Sequence, residues 1–175
     1  FRGQNHIDLL VQRTDVVVVA FADPDEKMLA DAQNILKKAG RAAAIEYKNG
    51  KEDYKNLLKR TDIDAVIIAT PWEWHIPQAL EAIKNGIIPG VEVCGAINIK
   101  ECWDIVNASE KYNIPVMCLE NVCYRRDVLA VYNMVRKGMF GELLHLQGGY
   151  EHDLRGVKFN NGITCLLYTS DAADE

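Results

Sequence analysis

The sequence predicts an α/β fold built on a doubly wound parallel sheet, and three observations carry that prediction. Short apolar runs alternate with amphipathic stretches from residue 16 to residue 119, the pattern of strands alternating with helices. The run Ala65-Val-Ile-Ile-Ala69 holds no polar residue, as expected of a strand buried on both faces of a parallel sheet. That run stops abruptly at Thr70-Pro71 and gives way to Trp72-Glu-Trp-His75. Proline has no N–H for a ladder. An aromatic and polar cluster just past a strand's carboxyl end is where ligands bind in open α/β sheets. The competing reading is that Trp72 and Trp74 only cover the end of the sheet.

Size and composition are ordinary for a globular chain. The 175 residues suffice for one domain and part of another, and 49% are hydrophobic and 26% charged. A net charge of −5 without a basic run argues against a nucleic-acid surface. No apolar segment is long enough to span a membrane. The five cysteines are odd in number and form no C-x-x-C pair, so neither a zinc site nor a disulfide framework is expected. Cys94, Cys102 and Cys118 read as core residues. No signal peptide is visible, and the chain opens at Phe1 rather than at a methionine.

In chain order, residues 1–6 read as the tail of a glycine-rich turn entering a helix with Ile7, Leu9, Leu10 and Val11 on its apolar side. On that reading the sheet's first strand and the first glycines of a G-x-G-x-x-G fingerprint lie upstream, and Gly3 is the third glycine. Residues 16–22 read as a strand ending at Asp23-Pro24. Asp23 lies 20 positions after Gly3, the spacing at which a dinucleotide site places an acid on the adenosine ribose. A carboxylate there repels a 2′-phosphate, so NAD is favoured over NADP. The alternative is that Asp23 caps the next helix.

Helices are expected over residues 25–39, 52–59, 75–85, 99–112 and 126–137, with Gly40, Gly86 and Gly138 as stops. Strands are expected over 42–47, 65–69, 89–93 and 115–119, and a further one over 142–150 opens a second domain. The last stretch, from about Ile163 to Glu175, has no useful periodicity and reads as a non-native tail.

With these stretches assembled, the order strand, Ala-Asp-Pro, Ala-Thr-Pro plus His, and an acid after the next strand resembles the Gfo/Idh/MocA oxidoreductase family. Most members of that family carry Glu-Lys-Pro where this chain has Glu92-Val93-Cys94, with the lysine near the reacting carbon. Trp72-Glu-Trp-His75, Glu92-Val93, Glu120-Asn-Val-Cys-Tyr-Arg-Arg-Asp127 and Gly149-Tyr-Glu-His-Asp-Leu-Arg155 closely resemble its branch, glycoside hydrolase family 109. The resemblance covers roughly Phe1 to Gly162.

What the resemblance implies is specific. The fold is a Rossmann sheet lacking its first strand, an NAD-binding domain over 1–122, with the start of an α/β substrate domain over 123–162. The implied NAD contacts are Phe1 and Arg2 in the pyrophosphate turn and Asp23 on the ribose. Trp72, Glu73, Trp74 and His75 follow beside the central strand, then Glu92 and Val93 at the nicotinamide half, and Asn121. Tyr150 matches a substrate-contacting tyrosine, and no metal is implied. The implied reaction is hydrolysis of a terminal α-N-acetylgalactosaminide: transient oxidation at C3, loss of the C2 proton, elimination, addition of water and return of the hydride. Glycosidases of this kind do not need the usual carboxylate pair.

Tyr124 reads equally as the base, its acidity tuned by Arg125 or Arg126, or as packing at a domain junction. His75 is favoured as a ligand contact over a helix cap. His145 reads as structural or exposed. His152 and Asp153 read as pocket lining or as solvent-exposed. Two alternatives stand beside the glycosidase: a sugar dehydrogenase of the same family and a non-catalytic NAD-binding module. The downstream stretches that complete the family's sugar site have no counterpart here, so the chain alone is expected to be inactive. The partner expected is a sugar or glycan, with homo-oligomerisation left open.

Overall fold

The computed structural model describes residues 2–93, 95–149 and 153. The chain divides into two units, Phe1–Leu119 and Glu120–Glu175.

The first unit alternates helix and strand. Its elements are α1 (Arg2–Leu10), β1 (Ala20–Ala22), α2 (Glu26–Lys38), β2 (Ile45–Tyr47), α3 (Tyr54–Leu57), β3 (Ala65–Ile68), α4 (Trp72–Lys84), β4 (Ile88–Val91), α5 (Ile99–Tyr112) and β5 (Met117–Cys118). All strand pairs are parallel: β1 runs beside β2, and β4 lies between β3 and β5. This is the Rossmann-like arrangement expected, and it carries an interruption. The unpaired edges of β1 and β3 line one cavity of about 480 Å³, together with apolar residues of α1, α2 and α3. Across it β1 and β3 are not paired with each other.

The interruption explains why the strands are shorter than the apolar runs that predict them. Pairing from β2 begins only where Ile45 N bonds Val19 O at 3.0 Å, so Val16–Val18 lack a ladder although they are β-branched. A run of valines favours an extended backbone, but a strand needs a partner. The same gap spoils the two-sided burial expected of the central run. In β3, Ile67 and Ile68 both line the cavity, but Ile68 packs with Ala79 and Val91 and is buried, while Ile67 is 38% exposed.

Two clusters hold the unit together. One gathers Tyr54, Leu57, Leu58, Ala82 and Ile87, with Trp74 packed on its rim. The other joins Ile68, Ala79 and Val91, backed by Ile105 and Val116. Helix α4 feeds both, because its apolar residues recur at helical spacing and Ala79, Ala82 and Ile83 are all fully buried. It starts at Trp72, three residues earlier than the periodicity suggests, because Pro71 sits extended as its N-cap and leaves the next residues free to turn. Gly86, at φ +78°, ends it. Helix α2 is capped by Asp25, whose side chain accepts from Lys27 N and Met28 N.

The second unit begins with a 3₁₀ turn, Asn121–Tyr124, and α6 (Arg126–Arg136). No strand forms over the described residues 142–149, against expectation. Leu144 and Leu146 are 88% and 73% exposed, so the alternation meets no partner and no core face there. The cysteine reading is also corrected: Cys102 and Cys118 are exposed, one on the outer side of α5 and one on the short strand β5. Cys94 lies outside the described residues.

Candidate functional site

The carboxyl ends of β1, β3 and β4 each deliver one polar feature. The first is Asp23, one residue past β1, half-buried on the cavity wall. Its backbone N bonds Tyr47 O at 3.1 Å and its Oδ1 accepts from Asp25 N at 2.8 Å. Burial pushes the Asp23 carboxyl above the usual carboxylate range. The bond from Asp25 N offsets part of this, and the negative Asp25 side chain adds to it. Asp23 is therefore not the helix cap; Asp25 fills that position.

The second feature is Thr70, after β3. His75 and Gln78, one helical turn apart on α4, both reach back to it. His75 Nε2 lies 2.8 Å from Thr70 O, and since a carbonyl only accepts, Nε2 carries the proton. Thr70 Oγ1 donates to Gln78 Oε1 at 3.1 Å. His75 is 1% exposed and Gln78 9%, so the turn after β3 is held from beneath by buried polar bonds.

The third is Glu92, directly after β4 and 8% exposed. Its Oε1 receives Arg2 Nε at 2.8 Å and His6 Nε2 at 2.6 Å. Arg2 and His6 stand four residues apart and so share one face of α1. Burial alone would raise the Glu92 carboxyl; the hydrogen bonds from His6 and Arg2 outweigh it and hold the group below its ordinary range. Arg2 spends only its Nε here. Its Nη groups make no other hydrogen bond among the described residues, and they suit a phosphate.

The remaining expected site residues fall as follows. Trp74 stands edge-on to Tyr54, with centroids 6.3 Å apart and planes at 70°, and so belongs to the core rim. Trp72 is half-buried and Glu73 exposed, both in the first turn of α4. Val93 is 46% exposed and offers no proton-transfer group. In the second unit, Asn121 opens the 3₁₀ turn, which Glu120 caps by accepting from Val122 N at 2.8 Å. Tyr124 closes the turn and is 62% exposed. Arg125, one of the cations expected to tune it, makes a two-pronged pair with Asp127 through Nε at 3.1 Å and Nη2 at 2.6 Å. His145 and Asp153 are exposed. Phe1, Tyr150 and His152 lie outside the described residues.

Sequence reading did not single out His6 or Gln78. The one signal for His6 was its four-residue spacing from Arg2. Gln78 carried none, since only the fold brings it to Thr70. Among the described residues no group of three or more His, Cys, Asp or Glu side chains is placed to hold a metal, and no helix is long and apolar enough to cross a membrane.

An acid at the end of β1, an arginine and a glycine in the first turn of α1, and further polar groups at the ends of β3 and β4 fit a dinucleotide laid across the strand ends. The fold and site thus define a nucleotide-binding Rossmann unit. Residues 1–118 match the family model described as "Oxidoreductase family, NAD-binding Rossmann fold", and the chain belongs to that family, Gfo/Idh/MocA. Residues 124–171 match the C-terminal domain model of glycosyl hydrolase 109, a match that runs past Gly162, where the sequence suggested a tail.

Among curated relatives, a glycosyl hydrolase family 109 protein of Stenotrophomonas maltophilia is 48% identical over 163 residues. That alignment takes in 92% of this chain and 36% of the relative. An alpha-N-acetylgalactosaminidase of Tannerella forsythia is 44% identical over 93% of this chain and 35% of its own length. The chain therefore spans little more than a third of these relatives. Solved structures agree on the fold. The WlbA dehydrogenase of Bordetella pertussis, in complex with NADH and UDP-GlcNAcA, superposes with a TM-score of 0.67 at 21% identity, over 81% of this chain and 40% of that one. A scyllo-inositol dehydrogenase of Lactobacillus casei, with bound NAD(H) and scyllo-inositol, gives 0.65 at 18%, over 81% and 39%.

Proposed function

We propose that this chain is the cofactor-binding part of an NAD-dependent glycosidase that hydrolyses terminal α-N-acetylgalactosamine. The observation that carries the reading is the end of β4. Glu92 is buried there as an ionised, hydrogen-bonded carboxylate, and the next residue is Val93 where dehydrogenases resembling this chain carry lysine. A site without that lysine lacks the proton shuttle suited to releasing a ketone as product. It suits a cycle in which the sugar stays bound and the redox change is undone. The similarity to family 109 proteins across 92% of the chain supports the same reading.

In this proposal Arg2 holds the pyrophosphate, Asp23 the adenosine ribose and Glu92 the nicotinamide ribose. Thr70 and the first turn of α4, with Trp72, Glu73 and His75, border the cofactor beside β3. Trp74 supports that turn from the core. Bound NAD supplies the temporary removal of hydride from sugar C3 and its return. With C3 a ketone, the C2 proton is acidic enough for a side-chain base, and Tyr124 is the group proposed to take it. The glycosidic oxygen then leaves from C1, water adds at C1, and C2 regains a proton, so the sum is hydrolysis with no net oxidation. Tyr150 contacts the sugar, and Val93 and Asn121 complete the nicotinamide side. The cofactor part runs over 1–122, and the substrate domain opens at 123.

The test has two readouts. A polypeptide carrying this chain at the full length of its relatives is given a nitrophenyl α-N-acetylgalactosaminide, and nitrophenol and NADH are followed together. Nitrophenol release that requires NAD, without NADH accumulating, is expected. NADH accumulating with free sugars, and no nitrophenol, overturns the proposal in favour of a sugar dehydrogenase. NAD binding with silence in both channels overturns it in favour of a binding module.

A further inference from the structure

We infer that His6 is a positioning residue for the nicotinamide half of the cofactor, acting through Glu92; the inference rests on the NAD reading above. Both donors that reach Glu92 converge on one oxygen. Arg2 Nε and His6 Nε2 lie 2.8 and 2.6 Å from Oε1, and Oε2 has no hydrogen-bond partner among the described residues. The carboxylate is ionised, because its pKa is held low, and its residue is 8% exposed. A buried charged oxygen without a donor is costly, and a ribose hydroxyl is the kind of group that relieves it. Two donors on Oε1 also fix the rotation of the carboxylate, so Oε2 is presented in one direction before any ligand arrives.

The two donors differ in what else they face. Arg2 has a side chain 43% exposed and two Nη groups free to take a phosphate, so anion binding divides its charge between two partners. His6 is 18% exposed, shorter, and placed one turn further into α1. Its Nε2 must carry the hydrogen, since an ionised carboxylate only accepts. His6 therefore keeps Glu92 oriented while Arg2 turns to the pyrophosphate. A merely structural bond, one that only seats α1 against the end of β4, would affect the whole cofactor. A positioning bond affects the nicotinamide riboside alone, because the adenosine end is held by Asp23 after β1.

Comparing NAD with ADP separates the two. Dissociation constants for both are measured on the wild-type chain, on His6→Phe, which keeps a ring and loses the donor, and on His6→Gln, whose amide restores a donor near the Nε2 position. Thermal midpoints are recorded alongside. The expected result is that His6→Phe weakens NAD about tenfold, the size of one charge-assisted hydrogen bond, and ADP less than twofold. His6→Gln recovers most of the loss, and His6→Phe costs nothing further in a Glu92→Gln background. Equal weakening of NAD and ADP with a lowered midpoint overturns the inference in favour of a structural bond. Unchanged binding of both overturns it outright. Should His6→Phe not fold, failure of His6→Gln to keep NAD tighter than ADP overturns it as well. A wild-type chain that binds NAD no better than ADP overturns the nicotinamide assignment itself, which is read before any variant.

Discussion

The β3–β4–β5 half of the first unit and the β1–β2 half answer the same sequence logic with different degrees of completion. Around β3 and β4 polar groups are tied into the fold: Thr70 bonds both His75 and Gln78, Glu92 Oε1 bonds both Arg2 and His6, and Ala79, Ala82 and Ile83 are fully buried. Around β1 the ladder is three residues long, its second edge faces the cavity, and Asp23 sits on that cavity's wall. The difference teaches that a parallel sheet's strength is set by neighbours as much as by apolar residues. Val16–Val18 keep the composition of a strand and form no ladder, whereas β3, also paired on one side only, holds four residues in register with β4.

The largest effects that would break this comparison lie in packing. Ile83 and Leu29 are both essentially buried, at 0% and 2%, but Leu29 lines the cavity and Ile83 does not. Truncating either to alanine removes transfer energy, and the added cost depends on how much new void is left. Ile83→Ala is expected near the upper part of the usual range, about 4 kcal/mol, and Leu29→Ala near its foot, about 2 kcal/mol, by urea unfolding. Equal costs would mean that the β1–β2 half is packed as firmly as the other. The polar clamp is the next test. His75→Phe keeps a buried ring but leaves the Thr70 carbonyl without the His75 donor, for an expected loss of about 2 kcal/mol. Gln78→Leu affects only the Thr70 hydroxyl, which is half-buried and free to turn, and is expected to cost less than about 1 kcal/mol.

These residues also mark how far the sequence carries. The alternation of apolar runs and amphipathic stretches announced the sheet, and acids placed just after predicted strands, Asp23 and Glu92, pointed to the strand ends that form the site. Strand lengths were not legible, because Val16–Val18 look like a strand on composition and fail for want of a neighbour. The same holds for 142–149. Nor were the partners legible: Arg2 and His6 lie about ninety residues from Glu92, and nothing local says that they meet. His75 stood out beside the tryptophans, yet nothing local says that its ring bonds Thr70 O.

The two carboxylates sharpen the comparison through pH, since their pKa values move in opposite directions. Glu92 is lowered, so its stabilising contribution is whole above the unfolded carboxylate range and is lost as pH falls through its depressed folded value. Asp23 is raised, so its charged form is disfavoured in the folded state at neutral pH, and acid relieves that penalty as the group takes a proton. Glu92→Gln is therefore expected to destabilise the chain at pH 7 and to matter less toward pH 3. Asp23→Asn is expected to stabilise it at pH 7, with the gain fading in acid, while weakening NAD. Unfolding midpoints of both variants across pH 3 to 7, compared with the wild type, check the signs. A stabilising Glu92→Gln at neutral pH would mean that its two hydrogen bonds do not repay its burial.

The smallest expected effect concerns Gly3, which the sequence reads as the third glycine of a fingerprint, the one that allows close helix–strand packing. The structure gives that role little to do. A Cβ built on Gly3 would meet only Ala69 Cβ, at 4.0 Å, an ordinary contact. Gly3 also lies in the first turn of α1, where alanine restricts the unfolded chain more than glycine does. Gly3→Ala is thus expected to raise stability by about 0.5 kcal/mol, the low end for a helical site. NAD affinity is the informative second readout. If it falls while stability rises, the missing side chain makes room for the phosphates rather than for β3; if both hold, the close approach that a fingerprint glycine serves is not made at this residue.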